Sequence, residues 1–241
     1  MSPTLLIARR ELSAYFRSWA GYVILAAILA LDGLCFNAFV MGGPDKRSAE
    51  VVSQFFWWSS GWVIAASVFV SMRLIAEERQ TGTINLLYSS PVKDHQIILG
   101  KFLSALVFMT VLIVATAYMP MLILVNGKVS WGHLGAGYLG LILLGSASVA
   151  IGTFGSVLTR SQVVAVIVSA VLVVALLMVY FLAKVTDRPL NDIFSAMALH
   201  GTHFQPFQQG IVHVRDVVYY LAVTYVALFG ATRVLESRRW R

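Results

Sequence analysis

Six long apolar runs dominate this chain and leave it few folds to choose from. They lie at about 20–41, 55–76, 97–125, 134–158, 162–184 and 216–234. About 20 apolar residues cross a bilayer as a helix, so each run is long enough to span one. A span in lipid must satisfy its own backbone hydrogen bonds, and runs of this length are too long for barrel strands. The fold expected is therefore all-α and integral to a membrane. Composition agrees, with 59% hydrophobic and 12% charged residues in a chain of 241. An ordinary globular domain has about half and about a quarter, respectively. Six spans with short loops leave no room for a soluble catalytic domain, so 1–241 reads as one transmembrane domain. The single cysteine, Cys35, excludes an intrachain disulfide and reads as a packing residue.

Basic residues set the expected orientation. If both termini face the cytoplasm, 12 of the 18 lysines and arginines fall inside, including Arg9, Arg10, Arg17, Arg73, Arg79, Lys93, Lys101, Arg160 and Arg233. Lys46, Arg47, Lys128, Lys184, Arg188 and Arg215 then fall outside. This is the asymmetry that the positive-inside rule asks for, and an even number of spans suits it. The net charge of +7 follows from the same bias, so anionic membrane lipid is its simplest counterpart and nucleic acid is not expected. Residues 4–19 predict an amphipathic helix lying along the inner membrane surface. Leu5, Ala8, Leu12, Tyr15, Phe16 and Trp19 fall on one arc, and Arg10, Glu11, Ser13 and Arg17 on the other. No small-residue cleavage pattern follows a short apolar core, so the first span is expected to be retained.

Between the second and third runs lies a charged insertion, Glu77-Glu78-Arg79-Gln80-Thr81-Gly82-Thr83, followed by Ile84-Asn85-Leu86-Leu87-Tyr88-Ser89-Ser90-Pro91. Thr83 suits an N-cap, Ser90-Pro91 stops the short helix so begun, and Asp94 suits a cap for the third span. Segment 77–95 thus reads as a rigid rod hung between Gly82 and Pro91. Leu86, Leu87 and Tyr88 place apolar side chains on a cytosolic loop, where exposed apolar surface signifies an interface.

These residues, with Gly100-Lys101 just beyond, resemble the signature of ABC type-2 transporter permeases, the membrane subunits of ATP-driven exporters. A second stretch runs His203-Phe204, Phe207, Gly210-Ile211-Val212, Val214-Arg215-Asp216 and Tyr219-Tyr220. With Leu158-Thr159-Arg160-Ser161-Gln162, it is similar to the branch holding the gliding-motility permease GldF and the copper-site maturation permease NosY. The resemblance covers essentially the whole chain, in order. It implies an in-plane N-terminal helix, six spans, a coupling helix that docks on a nucleotide-binding subunit, and an outer re-entrant hairpin before the last span. By that implication Glu77, Glu78, Arg79, Gly82, Thr83, Leu86, Leu87, Tyr88 and Pro91 couple to the ATPase. His203, Phe204, Phe207, Gly210, Arg215 and Asp216 belong to the outer segment. Partners so implied are an ABC ATPase subunit, a second permease copy or related membrane subunit, and a GldG-like auxiliary protein. The location implied is a bacterial cytoplasmic (inner) membrane. Residues 185–215, which mix Pro189, Asn191, Gln205 and Gln209 with Phe194, Met197 and Phe204, are too polar to span and too apolar for a free loop. A re-entrant hairpin suits them.

The chain itself carries no expected catalytic or cofactor site. The phosphate-binding pattern G-x-x-x-x-G-K-[ST] fails at Gly100-Lys101-Phe102, where His95 stands in place of the first glycine, and no H-E-x-x-H or G-x-S-x-G occurs. ATP and magnesium are therefore expected on the partner. Glu77 and Glu78, adjacent on a helix, point apart and read as a charged helix end meeting water or the motor. His200 and His203 share a helical face, yet read as polar residues of the cap, and no metal site is expected. Arg73 sits near the inner end of span two, where its long side chain snorkels to the interface. Asp32 lies inside the first run, where a carboxylate needs protein, water or a partner, so it either lines a cavity or pairs with a basic group. Ser148, Gly152 and Ser156 recur at four-residue spacing and give a smooth face for close helix packing.

The function expected is a permease that converts ATP-driven closure of an attached motor into export, or into force on an extracytoplasmic partner such as a gliding complex. The competing readings are an ATP-independent channel or secondary carrier built around Asp32, and a scaffold for a motility or assembly complex.

Overall fold

The computed structural model describes residues 2–41, 47–84 and 92–239. The described residues are all-helical. In chain order they form α1 (Pro3–Arg17), α2 (Trp19–Cys35), α3 (Ser48–Ser71), α4 (Ala76–Gln80), α5 (Asp94–Ala115), α6 (Tyr118–Asn126), α7 (Trp131–Leu158), α8 (Gln162–Val185), α9 (Leu190–Met197), α10 (Gln205–Gln208) and α11 (Val214–Arg239). Six segments are long and apolar enough to cross a membrane: Trp19–Val40, Ser48–Gln80, Asp94–Leu124, Trp131–Leu158, Gln162–Val185 and Val214–Arg238.

The hub is α7, which touches α3, α5, α8, α10 and α11. Its composition explains this position. Gly137, Gly140, Gly145, Gly152 and Gly155 alternate with buried serines and alanines, so neighbours reach its backbone from several sides. A Cβ at Gly152 would overlap the Ser71 side chain of α3, and one at Gly140 would press on Phe207 of α10. By contrast α2, α8 and α11 bury less than a quarter of their apolar windows. They form the rim of the bundle, with many apolar side chains exposed.

Local chemistry shapes each span. The third bends between α5 and α6 because Pro120 has no N–H to give the Thr116 carbonyl and its ring crowds that turn. The first ends in a single wide turn, where Met41 N–H donates to Phe36 O at 3.0 Å. The second starts at Ser48 rather than near 55, since Val52 is buried and the Ser53 hydroxyl reaches the Gln208 carbonyl at 2.9 Å. The last helix begins at Val214 and runs on past 234 to Arg239, with Arg238 donating to Leu158 O at 2.9 Å.

One end of the bundle collects α1, α4, the start of α5, the end of α7 and the end of α11; we call it the terminal side. The opposite end carries α9 and α10. Leu199 N–H donates at 3.4 Å to Leu176 O, nine residues before the end of α8, so this segment folds back roughly 14 Å along α8.

Gly152→Val is expected to separate α7 from α3 and to cost about 1–3 kcal/mol through overpacking. The measurement is the thermal midpoint in detergent, with Gly135→Val as control, since Gly135 has open space where a Cβ would stand.

Candidate functional site

On the terminal side a cluster of charges joins three elements that are far apart in sequence. Lys101, on the second turn of α5, is 1% exposed, and its Nζ lies 3.2 Å from Glu11 Oε1 of α1 and 2.9 Å from Glu78 Oε1 of α4. Arg10 closes the group, 3.0 Å from Glu11 Oε1 and 3.6 Å from Glu78 Oε1. Two carboxylates and two cations leave the cluster neutral. Burial would raise the Glu11 carboxyl, but Lys101 and Arg10 outweigh it and hold the group below its ordinary value. Gly100 allows the approach: a Cβ there would stand 2.9 Å from Ile7 and from the Thr4 carbonyl. Tyr15 fixes the other end of α1, donating to Val70 O at 2.8 Å and stacking on Phe108 at 5.0 Å.

Here the sequence reading needs correction. Glu11 does not sit on the solvent arc of α1; it turns into the bundle. The helix has three faces, with Ile7, Glu11 and Tyr15 against α5, Leu5 exposed on an apolar flank, and Arg9, Ser13 and Arg17 exposed on a polar one. Glu78 likewise points inward at Lys101, while Glu77 pairs with Arg73 at 2.8 Å. The sign that Lys101 is special was its position among Ile97, Ile98 and Phe102, where a cation needs a carboxylate to accompany it.

A second anchorage holds the corner between α3 and α4. Ser156 Oγ of α7 accepts from Ile75 N at 3.2 Å and Ala76 N at 3.0 Å, and donates to Met72 O at 3.2 Å. Ser156 is thus a cap for α4 as well as a small packing residue. Arg79 donates to Val157 O and, at 3.2 Å, to Thr159 O. Gln80 Oε1 accepts from Gln162 N at 3.2 Å, which adds the start of α8. Gly82 turns the chain out of α4 with φ +75°, a conformation that suits glycine. Thr83 Oγ1 reaches back toward Glu78 O at 3.4 Å. Leu86, Leu87, Tyr88 and Pro91 lie outside the described residues. Beyond them, α5 begins at Asp94, and the Gln96 side chain accepts the Lys93 N–H at 3.2 Å. Among the described residues no group of three or more His, Cys, Asp or Glu side chains that could hold a metal occurs. The arrangement is a structural junction, in which the Lys101 amine joins α5 to α4 through Glu78.

Comparison with protein families matches residues 61–235 to the ABC-2 family transporter protein model. The chain belongs to the ABC-2 transporter family. It is a multi-pass membrane protein and the permease subunit of an ABC transporter, not itself catalytic, and membership implies an ABC ATPase as partner. Comparison with curated proteins gave no match.

At the opposite end of this ABC-2 permease, the second motif packs into the bundle. His203 is buried between Asp216 Oδ1, 2.8 Å from its Nδ1, and Ala196 O, 3.3 Å from its Nε2, and it stacks on Tyr219 at 3.8 Å. Tyr219 and Tyr220 hydroxyls donate to Met197 O and Leu199 O at 2.9 and 3.1 Å. Phe204 and Phe207 are fully buried, Gly210 turns at φ +82° against His133, and Arg215 stays exposed 3.5 Å from Asp216. These residues fasten α9 and α10 to α11. His200 joins α3, 2.8 Å from Ser60 Oγ and edge-on to Trp57 at 4.8 Å. Asp32 meets a hydroxyl, and no basic group among the described residues: it is 1% exposed and accepts a forked hydrogen bond from Ser59 Oγ, at 3.0 and 2.9 Å. Ser148 is buried with its hydroxyl unpartnered.

Lys101→Met is expected to leave Glu11 and Glu78 with only the exposed Arg10 as counter-charge, a loss of about 3 kcal/mol. The triple change with Glu11→Gln and Glu78→Gln recovers much of it, and a thermal-midpoint cycle checks this. Burial lowers the His200 pKa to about 4, from an ordinary 6.5. Its contribution is thus complete above pH 6.5 and declines as pH falls toward 4, where the unfolded chain binds the extra proton. Between pH 7 and 5 the wild-type midpoint is expected to fall further than that of His200→Gln.

Proposed function

We propose that this permease receives the closure of a separate ATPase subunit through segment 77–95 and turns it into rearrangement of the six helices, driving export or force on an extracytoplasmic partner. The observation that carries the reading is the Lys101 cluster. A push on the segment acts on α4 and α5 together through Glu78 and Lys101, reaches α1 through Glu11, and reaches the central α7 through Ser156 and Arg79. In this reading the terminal side faces the cytoplasm of a bacterial inner membrane, where Arg9, Arg17, Lys93, Arg160 and Arg233 collect. ATP and magnesium bind the partner. Two permease copies, or this chain and a related membrane subunit, enclose the route, and the exposed flanks of α2, α8 and α11 offer the surface for that assembly. The second motif favours the branch of GldF and NosY, with a GldG-like auxiliary protein as a further subunit. A carrier built on Asp32 would need that carboxylate open to a path, whereas it is closed under Ser59.

Leu87→Asp tests the coupling. The variant is expected to insert and elute normally but to bind the ATPase at least about 30-fold more weakly, as for loss of an apolar anchor, and to leave its ATP turnover uncoupled. Co-purification followed by ATPase assay checks it. Unchanged association together with unchanged turnover defeats the reading.

A further inference from the structure

A cavity of about 310 Å³ opens between the start of α5 and the end of α11, lined by His95, Leu99, Tyr225, Leu228, Phe229, Thr232, Arg233 and Glu236. Its chemistry is graded along the helices. Leu99, Leu228, Phe229 and Tyr225 make the membrane-side part, and the polar groups gather at the terminal-side rim. On α11, Tyr225, Phe229 and Arg233 stand four residues apart as a ladder. The two rings stack at 6.2 Å, and the guanidinium lies 5.0 Å above the Phe229 ring. His95 and Leu99 face it from one side of α5, also four residues apart. The Thr232 hydroxyl is engaged, donating to Leu228 O at 2.9 Å.

The rim offers both signs of charge. Arg233 is 65% exposed and Glu236 39%, and they are 3.2 Å apart. An exposed pair of this kind is worth little by itself, so a ligand that meets both charges separates them at small cost. A phospholipid with a phosphate and a primary ammonium has that pattern, on an apolar tail that suits Leu99, Leu228 and Phe229. An anionic lipid would satisfy Arg233 and His95 but meet Glu236 with like charge. We propose that this groove is a binding site for an aminophospholipid of the phosphatidylethanolamine class from the leaflet on the terminal side. The phosphate lies on Arg233 and His95, the ammonium on Glu236, and an acyl chain runs along Leu99, Leu228 and Phe229. Aromatic and arginine side chains near a membrane surface are common anchors in themselves. A two-walled cavity with a zwitterionic rim is what distinguishes this one.

The test is native mass spectrometry of the delipidated permease titrated with phosphatidylethanolamine, phosphatidylglycerol and phosphatidylcholine of identical chains, and with inorganic phosphate as competitor. Wild type is expected to hold phosphatidylethanolamine at least about threefold more tightly than either other lipid. Arg233→Ala is expected to weaken all three, and Glu236→Gln to remove the preference while keeping binding. Leu99→Trp, which fills the cavity from α5, is expected to displace the lipid with Arg233 intact. Equal retention of the three lipids by wild type overturns the proposal, as does full retention by Leu99→Trp or displacement of lipid by phosphate alone. Because readout is of lipid alone, failure here leaves the motor-coupling reading standing.

Discussion

A single lysine amine, buried between two carboxylates from different parts of the chain, sets the terminal end of this permease. Bringing a charge out of water is costly, and the group is stable only while its counter-charges stay within hydrogen-bonding reach. Lys101 therefore does more than add a contact. It requires α1, α4 and α5 to hold one arrangement, since separation of any of them strands a charge in an apolar setting. The glycine before it lets α1 lie close enough for Glu11 to arrive, and Tyr15 on Val70 completes the clasp. Elsewhere the helices are joined mainly by apolar packing, which tolerates sliding. Here they are joined by a contact that does not.

That rigidity suits a part that transmits movement. The two helices that flank the coupling segment, α4 and α5, meet in the same cluster, so displacement of one carries the other with it. The block meets the hub through hydrogen bonds from Ser156, and through Arg79 on the last carbonyls of α7. At the far end the cap is fixed as firmly, with His203 on Asp216 and two tyrosine hydroxyls on the α9–α10 connection. Between these two fixed ends lies α7, whose small residues give shallow, smooth contacts to α3 and α8. A helix bundle fastened at both ends and smooth in the middle can change crossing angles without losing its connections.

Much of this was legible in the residues. Apolar runs of the required length can only be helices in lipid, which decides the class and the number of spans. The motif around Glu77 and Gly100-Lys101 pointed to the family, and its two halves turn out to be the two sides of one ion cluster. What the residues did not disclose was direction. Glu11 was assigned to water because a helical wheel divides a helix into two faces, whereas α1 has three neighbours and hence three faces. Asp32 was expected on a cavity or a cation, because a hydroxyl such as Ser59 leaves no mark in a sequence to distinguish it from any packing serine. Ser156 looked like a spacer, and only the nearness of Ile75 and Ala76 reveals it as a cap.

The sequence by itself determined that the chain is a bundle of membrane helices with a charged joint after the second span and a folded-back segment before the last. Those features follow from hydrophobic length, glycine and proline placement and the cost of polar groups in lipid, all of which act locally. Tertiary structure alone decided which charges meet, which helix is central and where the rim lies open. These depend on which helix faces turn toward one another, and periodicity within a single helix carries no information about its neighbours. The pairing of Lys101 with Glu11, 90 positions apart in the chain, exists only once α1 and α5 are packed.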